Sequence, residues 1–123
     1  MLANGRVTGF VPTTSPVRAR AFYEKTLGLK FVGEDPFAMV FDANGTTLRI
    51  VRVASHTPAP FTILGWVVTN VRECAVELQR NGVQFHRFPG LEQDAMGIWK
   101  SPSGAHVAWF ADPDGNLLSI SEG

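Results

Sequence analysis

The chain has 123 residues, 45% of them hydrophobic, and its eleven lysines and arginines balance eleven aspartates and glutamates. This length suits one domain with a substantial core. The zero net charge argues against a general nucleic-acid binder. One cysteine cannot form an intramolecular disulfide, and no apolar run approaches the roughly 18 residues needed to cross a bilayer. We therefore expect a cytoplasmic protein with no nucleic-acid partner and no membrane association.

The first half of the chain predicts a strand, a helix and three further strands. Val7 to Val11 is apolar and rich in strand-forming residues. Ser15 followed by Pro16 is typical of a helix N-terminus, and Gly28 suits the left-handed residue that ends a helix. The predicted spans are strands at 6–12, 29–33, 37–42 and 46–53, and a helix at 15–26.

The second half predicts the same order of elements. Asn70 is the expected N-cap of a helix, and Asn81-Gly82 ends it. Between them, four residues recur at the spacing of one buried helical face: Val71, Cys74, Ala75 and Leu78. The predicted spans are strands at 61–69, 83–88, 105–111 and 116–122, and a helix at 71–81. Residues 89–104 form a long irregular loop, of a kind that often lines a site.

An internal repeat relates the two halves. The segment DANGTTLRI (Asp42–Ile50) matches DPDGNLLSI (Asp112–Ile120), with Asp, Gly, Leu and Ile at corresponding places. Each glycine closes a turn before an alternating strand, which is a β-hairpin signature. The linker at 54–60 is too short to separate independent domains. We therefore expect one domain over 1–123, with a βαβββ module at 1–53 and a second at 61–123.

Three features resemble the vicinal oxygen chelate superfamily, which contains glyoxalases, bleomycin resistance proteins and extradiol dioxygenases. They are the two βαβββ halves, the helix end FYEKTLGL (Phe22–Leu29) and the DPDGN hairpin (Asp112–Asn116). The resemblance covers nearly the whole chain. It implies an α+β fold in which curled mixed β-sheets surround a concave pocket, with the helices outside. It also implies a homodimer, in which the modules pair within a chain or swap between chains.

The resemblance also identifies four positions at which metal-dependent members carry ligands, usually His or Glu. The matching residues here are Thr8, Arg49, Ile63 and Ser119. None is a strong ligand of a transition metal. At roughly 4 Å and an effective dielectric near 20, the arginine would repel each unit of positive charge by about 4 kcal/mol. We therefore expect no metal or other cofactor; the alternative, a divalent metal held through the long loop by Glu92, Asp94 and a histidine, stays open.

The hairpin register predicts which side chains share the concave face. In the second half Trp109 is expected opposite Ser119, and opposed residues share a face. The same register pairs His106 with Glu122 on the other face. Applied to the first half, it pairs Met39 with Arg49 and Phe37 with Val51.

The resulting pocket is apolar and aromatic, with one guanidinium. Its expected ligand-binding residues are Thr8, Phe10, Phe37, Met39, Arg49, Ile63, Trp99, Trp109 and Ser119. Such a lining suits a small organic molecule with a flat or apolar body, and Arg49 is expected either to clamp its acidic group or to pair with an acid at the rim. Trp99 either closes over the ligand or pins the loop to the sheet.

Three functions fit this pattern. The first is a metal-independent small-molecule binding protein that resembles the antibiotic-sequestering resistance proteins. The second is a glyoxalase-like lyase or isomerase, or a dioxygenase-like enzyme, with displaced metal ligands or with His86, Glu92 or Asp94 as a base. The third is an accessory interaction module with a filled cavity. The catalytic residues of any enzyme, and the identity of the ligand, are not indicated by the sequence.

Overall fold

Each half of the chain folds into a four-stranded mixed sheet with a helix against one face. The computed structural model describes residues Met1–Gly123 and divides them into two units, Met1–Thr57 and Pro58–Gly123. Both units have the βαβββ order, so the expected α+β class and the two modules are confirmed. None of the helices has the length and apolar character that a membrane span requires.

The elements of the first unit are β1 (Thr8–Thr13), α1 (Pro16–Ala21), β2 (Lys30–Glu34), β3 (Ala38–Ala43) and β4 (Thr46–Arg52). Its strands lie in the order β1-β4-β3-β2. The β1–β4 contact is parallel, and the others are antiparallel. A π-helical turn at Phe22–Thr26 continues α1, and Gly28 follows it with a φ of +77°.

The core of the first unit lies between α1 with its π-helical turn and the sheet. Tyr23 is fully buried, and its ring centroid lies 6.0 Å from that of Phe41 on β3. Leu48 and Ile50 of β4 are buried on the same side of the sheet. The Tyr23 of the FYEKTLGL segment is therefore a packing residue.

The elements of the second unit are β5 (Leu64–Val68), α2 (Val71–Arg80), β6 (Trp99–Lys100), β7 (His106–Ala111) and β8 (Leu117–Glu122). Its strands repeat the first arrangement in the order β5-β8-β7-β6. The Asn70 side chain accepts a hydrogen bond from the Glu73 N–H at 3.0 Å, which confirms the predicted N-cap of α2. Val71, Ala75 and Leu78 are buried, as the helical spacing predicted.

The predicted strand at 83–88 is wrong. That segment has no strand, and the fourth strand is β6, from within the predicted loop. The amide of Gln93 explains the difference: it accepts from the Phe88 N–H at 2.8 Å and donates to the His86 carbonyl at 2.8 Å. A side chain thus occupies backbone groups that a strand would offer to its neighbour.

The register of the second hairpin is confirmed, whereas that of the first is wrong by one residue. Trp109 lies opposite Ser119, but Met39 lies opposite Ile50, and Val40 lies opposite Arg49. The turns explain the difference. Asn44 and Gly45 both have positive φ and form a two-residue turn between Ala43 and Thr46, whereas three residues separate Asp112 from Asn116. Because side chains alternate along a strand, a shift of one residue moves each to the other face.

Candidate functional site

Each sheet has a second face, which the helix of its own unit does not cover and which we call its open face. On the first open face, Phe10 lies opposite Arg49 across the parallel β1–β4 contact. Phe10 is 65% exposed. The first open face comprises Thr8, Phe10, Val40, Arg49 and Val51. The second open face comprises Gly65, Val67, Trp99, Val107, Trp109, Ser119 and Ser121.

Arg49 on the first open face is held by an ion pair. Its Nη2 lies 2.7 Å from Oδ2 of Asp35. The other oxygen of Asp35 accepts from the N–H groups of Phe37 and Ala38. The Arg49 hydrogen bond, followed by these two backbone N–H groups, lowers the pKa of Asp35 to about 2. Arg49 therefore pairs with an acidic side chain, which is one of its two expected arrangements. The remaining edge of its guanidinium makes no hydrogen bond within the protein.

Two predicted members of the first site lie elsewhere. Met39 is 2% exposed and lies on the helix-facing side with Ile50, because the two-residue turn shifts the register. Met39 lines a cavity of about 640 Å³ beside α1, away from Arg49's face. Phe37 precedes β3 instead of pairing with Val51, and it is 72% exposed. Thr8 and Phe10 do share the face of Arg49.

Three aromatic rings form a platform on the second open face. The centroids of Trp99 and Trp109 are 6.1 Å apart with their planes 36° from parallel, and Phe88 meets Trp109 edge-on at 5.3 Å. We call Phe88, Trp99 and Trp109 the aromatic platform. Trp99 is fixed against the sheet, which is the second of its two expected arrangements. Sequence analysis missed Phe88, whose signal was the aromatic run before the loop.

A hydroxyl lies beside this platform because one neighbour has no side chain. Gly65 lies opposite Ser119 across β5 and β8. A Cβ at Gly65 would lie only 2.6 Å from Ser119 Oγ, so this glycine makes room for the hydroxyl. Ser119 is also opposite Trp109. Ile63 adjoins the same end of the sheet, where its N–H donates to the Leu117 carbonyl at 3.0 Å.

The loop before β6 is held by two of its own side chains. Besides its bonds to Phe88 and His86, Gln93 donates to the Gly97 carbonyl at 2.7 Å. Asp94 accepts from the N–H groups of Met96 and Ile98, and its other oxygen lies 2.7 Å from Nη2 of Arg72. These contacts give the loop a defined conformation.

The four positions at which metal-dependent relatives carry ligands do not fit a transition metal. In the first unit they are Thr8 and Arg49, a hydroxyl and an ion-paired guanidinium; in the second they are Ile63 and Ser119, an alkyl group and a hydroxyl. Transition metals prefer imidazole, thiolate or carboxylate. No group of three or more His, Cys, Asp or Glu side chains has the proximity needed to hold a metal ion.

The expected pairing of His106 with Glu122 is confirmed. Nδ1 of His106 lies 2.8 Å from Oε1 of Glu122, and this pair lies on the helix-facing side of the second sheet. The other oxygen of Glu122 accepts from the Val71 N–H at the start of α2 at 3.0 Å. The pair therefore joins β7, β8 and α2.

The two βαβββ units, each with an open sheet face, define a class of proteins built from a duplicated module. The family model described as Glyoxalase/Bleomycin resistance protein/Dioxygenase superfamily matches residues 6–120. This chain belongs to that superfamily, which confirms the resemblance inferred from its motifs.

Solved structures of the same superfamily have this fold. A superfamily member from Sphaerobacter thermophilus is 21% identical, with a TM-score of 0.77 and full coverage of both chains. The bleomycin resistance determinant of transposon Tn5 is 21% identical, with a TM-score of 0.75 and 98% of each chain covered. Lactoylglutathione lyase from Agrobacterium tumefaciens is 16% identical, with a TM-score of 0.73 and coverage of 98% of this chain and 94% of its own. No curated protein matches by sequence.

Proposed function

We propose that this chain is a metal-independent binding protein for a small organic molecule with an apolar or aromatic body and an acidic group. It acts in the cytoplasm as a homodimer. The similarity to the Tn5 bleomycin resistance determinant is one support for a binding function. The observation that carries the proposal is the aromatic platform beside the Ser119 hydroxyl.

The platform suits the apolar body of such a ligand. Trp109 contacts both of the other rings. Aromatic side chains contribute large apolar contact areas, and offset or edge-on ring pairs add about 0.5–1.5 kcal/mol each. The hydroxyl of Ser119 offers both a donor and an acceptor to a polar substituent. Ligand sites commonly combine a mostly apolar lining with a few placed polar groups.

In the first unit, taken by itself, Arg49 is suited to bind an acidic group. Asp35 holds one nitrogen of the guanidinium, which leaves donors on the remaining edge. A guanidinium presents five N–H donors in a fixed plane, so a carboxylate can bind the edge that Asp35 leaves open. Phe10, exposed and opposite Arg49, supplies an apolar neighbour on the same face.

Calorimetry with matched ligands tests the proposal. Benzoate, cinnamate and 2-naphthoate are each compared with the corresponding alcohol. We expect at least one acid to bind, with Trp109→Ala weakening it about tenfold or more, because the variant removes the centre of the platform. Trp66→Phe is the matched control, since Trp66 lies on the helix-facing side of β5.

Two results would contradict the proposal. The first is that no acid of the panel binds, or that Trp109→Ala binds it as tightly as the parent protein. The second is a stoichiometric transition metal in the purified protein that a chelator removes together with a lyase or dioxygenase activity. That result would favour the enzyme with displaced ligands.

A further inference from the structure

The second unit has another cavity, on the helix-facing side of its sheet and at the β6 edge. Its volume is about 570 Å³. The first turn of α2, the loop before β6 and the start of β7 enclose it. Its lining includes Arg72, Glu92, Asp94, Lys100 and His106, together with Trp99 of the aromatic platform. The proposed ligand site does not use the charged side chains of this cavity.

The imidazole of His106 is fixed so that one ring nitrogen is left for a ligand. Oε1 of Glu122 lies 2.8 Å from Nδ1 and also accepts from the His106 N–H at 3.1 Å. The N–H of Val71, the His106 ring and the His106 N–H together lower the pKa of Glu122 to about 2. Glu122 is therefore ionised at neutral pH, and Nδ1 must be the donor in this pair. In the neutral ring, Nε2 then carries a lone pair and has no partner in the protein.

Two charged side chains of the lining also have no partner. Lys100 lies directly opposite His106 across β6 and β7, so the two share a face. The side chains of Lys100 and Glu92 take part in no ion pair or hydrogen bond. Arg72 and Asp94, by contrast, neutralise each other at 2.7 Å. The cavity thus offers one ammonium, one carboxylate and one imidazole lone pair.

We propose that this cavity binds a small zwitterion that carries both a carboxylate and an ammonium group, such as a free amino acid. Lys100 would bind the carboxylate, while Glu92 and Nε2 of His106 would accept from the ammonium. A simple anion would face the unpaired Glu92, and a simple cation would face the unpaired Lys100. Only a ligand with both charges pairs with both side chains, so charge complementarity selects this class.

The test uses the intact chain and follows the His106 ring signals by NMR. Glycine, L-leucine and L-phenylalanine are each added in a separate titration. Two further titrations use 4-methylpentanoate, which is leucine without its ammonium group, and 3-methylbutylamine, which is leucine without its carboxylate; we call these two compounds the halves of leucine. We expect at least one amino acid to shift the His106 signals, with each half about tenfold weaker or worse. Lys100→Ala and Glu92→Gln should each weaken binding about tenfold, because each removes one charge-assisted contact.

Lys25→Ala and Glu77→Gln, which lie outside this cavity, are matched controls and should leave the affinity unchanged. The proposal is overturned if no amino acid shifts the His106 signals, if one half binds as tightly as leucine, or if the cavity variants bind like the controls. The aromatic acids used for the open-face site provide an independent readout. Their binding should be unaffected by Lys100→Ala, so failure of one proposal is distinguishable from failure of the other.

Discussion

Single ion pairs set the electrostatic character of both candidate sites. Asp35 neutralises part of the charge of Arg49 on the first open face, and Glu122 fixes the tautomer of His106 beside the second cavity. Both carboxyls have a pKa of about 2: hydrogen bonds from Arg49 and two backbone N–H groups stabilise the ionised form of Asp35, and those from the Val71 N–H, the His106 ring and the His106 N–H stabilise that of Glu122. Each carboxylate therefore stays charged throughout the physiological pH range and orients its partner.

Substitution of Asp35 tests the role of Arg49. In Asp35→Asn the side-chain oxygen can still accept from the Phe37 and Ala38 N–H groups, but the negative charge is gone. We expect a binding acid to gain affinity by a few fold, since the guanidinium charge is no longer compensated. Calorimetry should show no gain for the matching alcohol. An equal affinity of the acid for both proteins would mean that Arg49 does not contact it.

Glu122 predicts a specific acid sensitivity. Its pKa falls from an ordinary value of 4.5 in the unfolded chain to about 2 in the folded one. The stabilisation is therefore complete above about pH 4.5 and is lost as the pH falls towards 2. Urea unfolding at a series of pH values should show a shallower loss of stability for Glu122→Gln than for the parent. Glu73→Gln, an exposed control on α2, should follow the parent, and an unchanged slope in Glu122→Gln would contradict the prediction.

At the scale of elements, side chains replace a strand at the edge of the second sheet. Gln93 makes three hydrogen bonds with backbone groups of residues 86–97, and the short β6 takes the edge position. This arrangement places Trp99 and Phe88 in contact with the Trp109 ring. The aromatic platform thus depends on the conformation of the loop.

Gln93→Ala should disturb the aromatic platform although Gln93 is not one of its three rings. The change leaves the Phe88 N–H and two carbonyls without partners, at a cost of about 2 kcal/mol in the free energy of unfolding. We expect a lower urea midpoint and a weaker aromatic ligand. Gln79→Ala on the exposed side of α2 is the control. If Gln93→Ala binds the ligand as tightly as the parent protein, the platform is held by ring packing alone.

The sequence predicted the helices and strands more accurately than it predicted the register in which the strands pair. Caps, apolar spacing and hairpin turns located both helices and seven of the eight strands, because those signals are local. The segment 83–88 could not be assigned from its own residues, since a glutamine several positions later takes its backbone groups. The first hairpin did carry a local signal, because Asn-Gly is the preferred pair for a two-residue turn.

At the scale of the whole molecule, exposed apolar side chains on the open faces support association of two copies. Phe10 is 65% exposed and Val67 is 73% exposed. We expect light scattering with size exclusion to give twice the chain mass, and Val67→Glu to shift the protein towards the monomer, because it would place a charge where the two copies are expected to meet. Val17→Glu is the control: Val17 is 85% exposed but lies on α1. A monomeric parent, or equal shifts in both variants, would contradict the prediction.

The unequal hairpin turns reverse the parity of β3 relative to β7, whereas β4 and β8 keep the same parity. Met39 and Trp109 occupy corresponding positions of the repeat, yet Met39 points into the core and Trp109 lies on the second open face. A substitution at Met39 therefore changes the core, whereas a substitution at the equivalent position, Trp109, changes the open face. A change of one residue in a hairpin turn exchanges the inner and outer side chains of the strand before it, so the two halves can diverge in chemistry while keeping the same backbone plan.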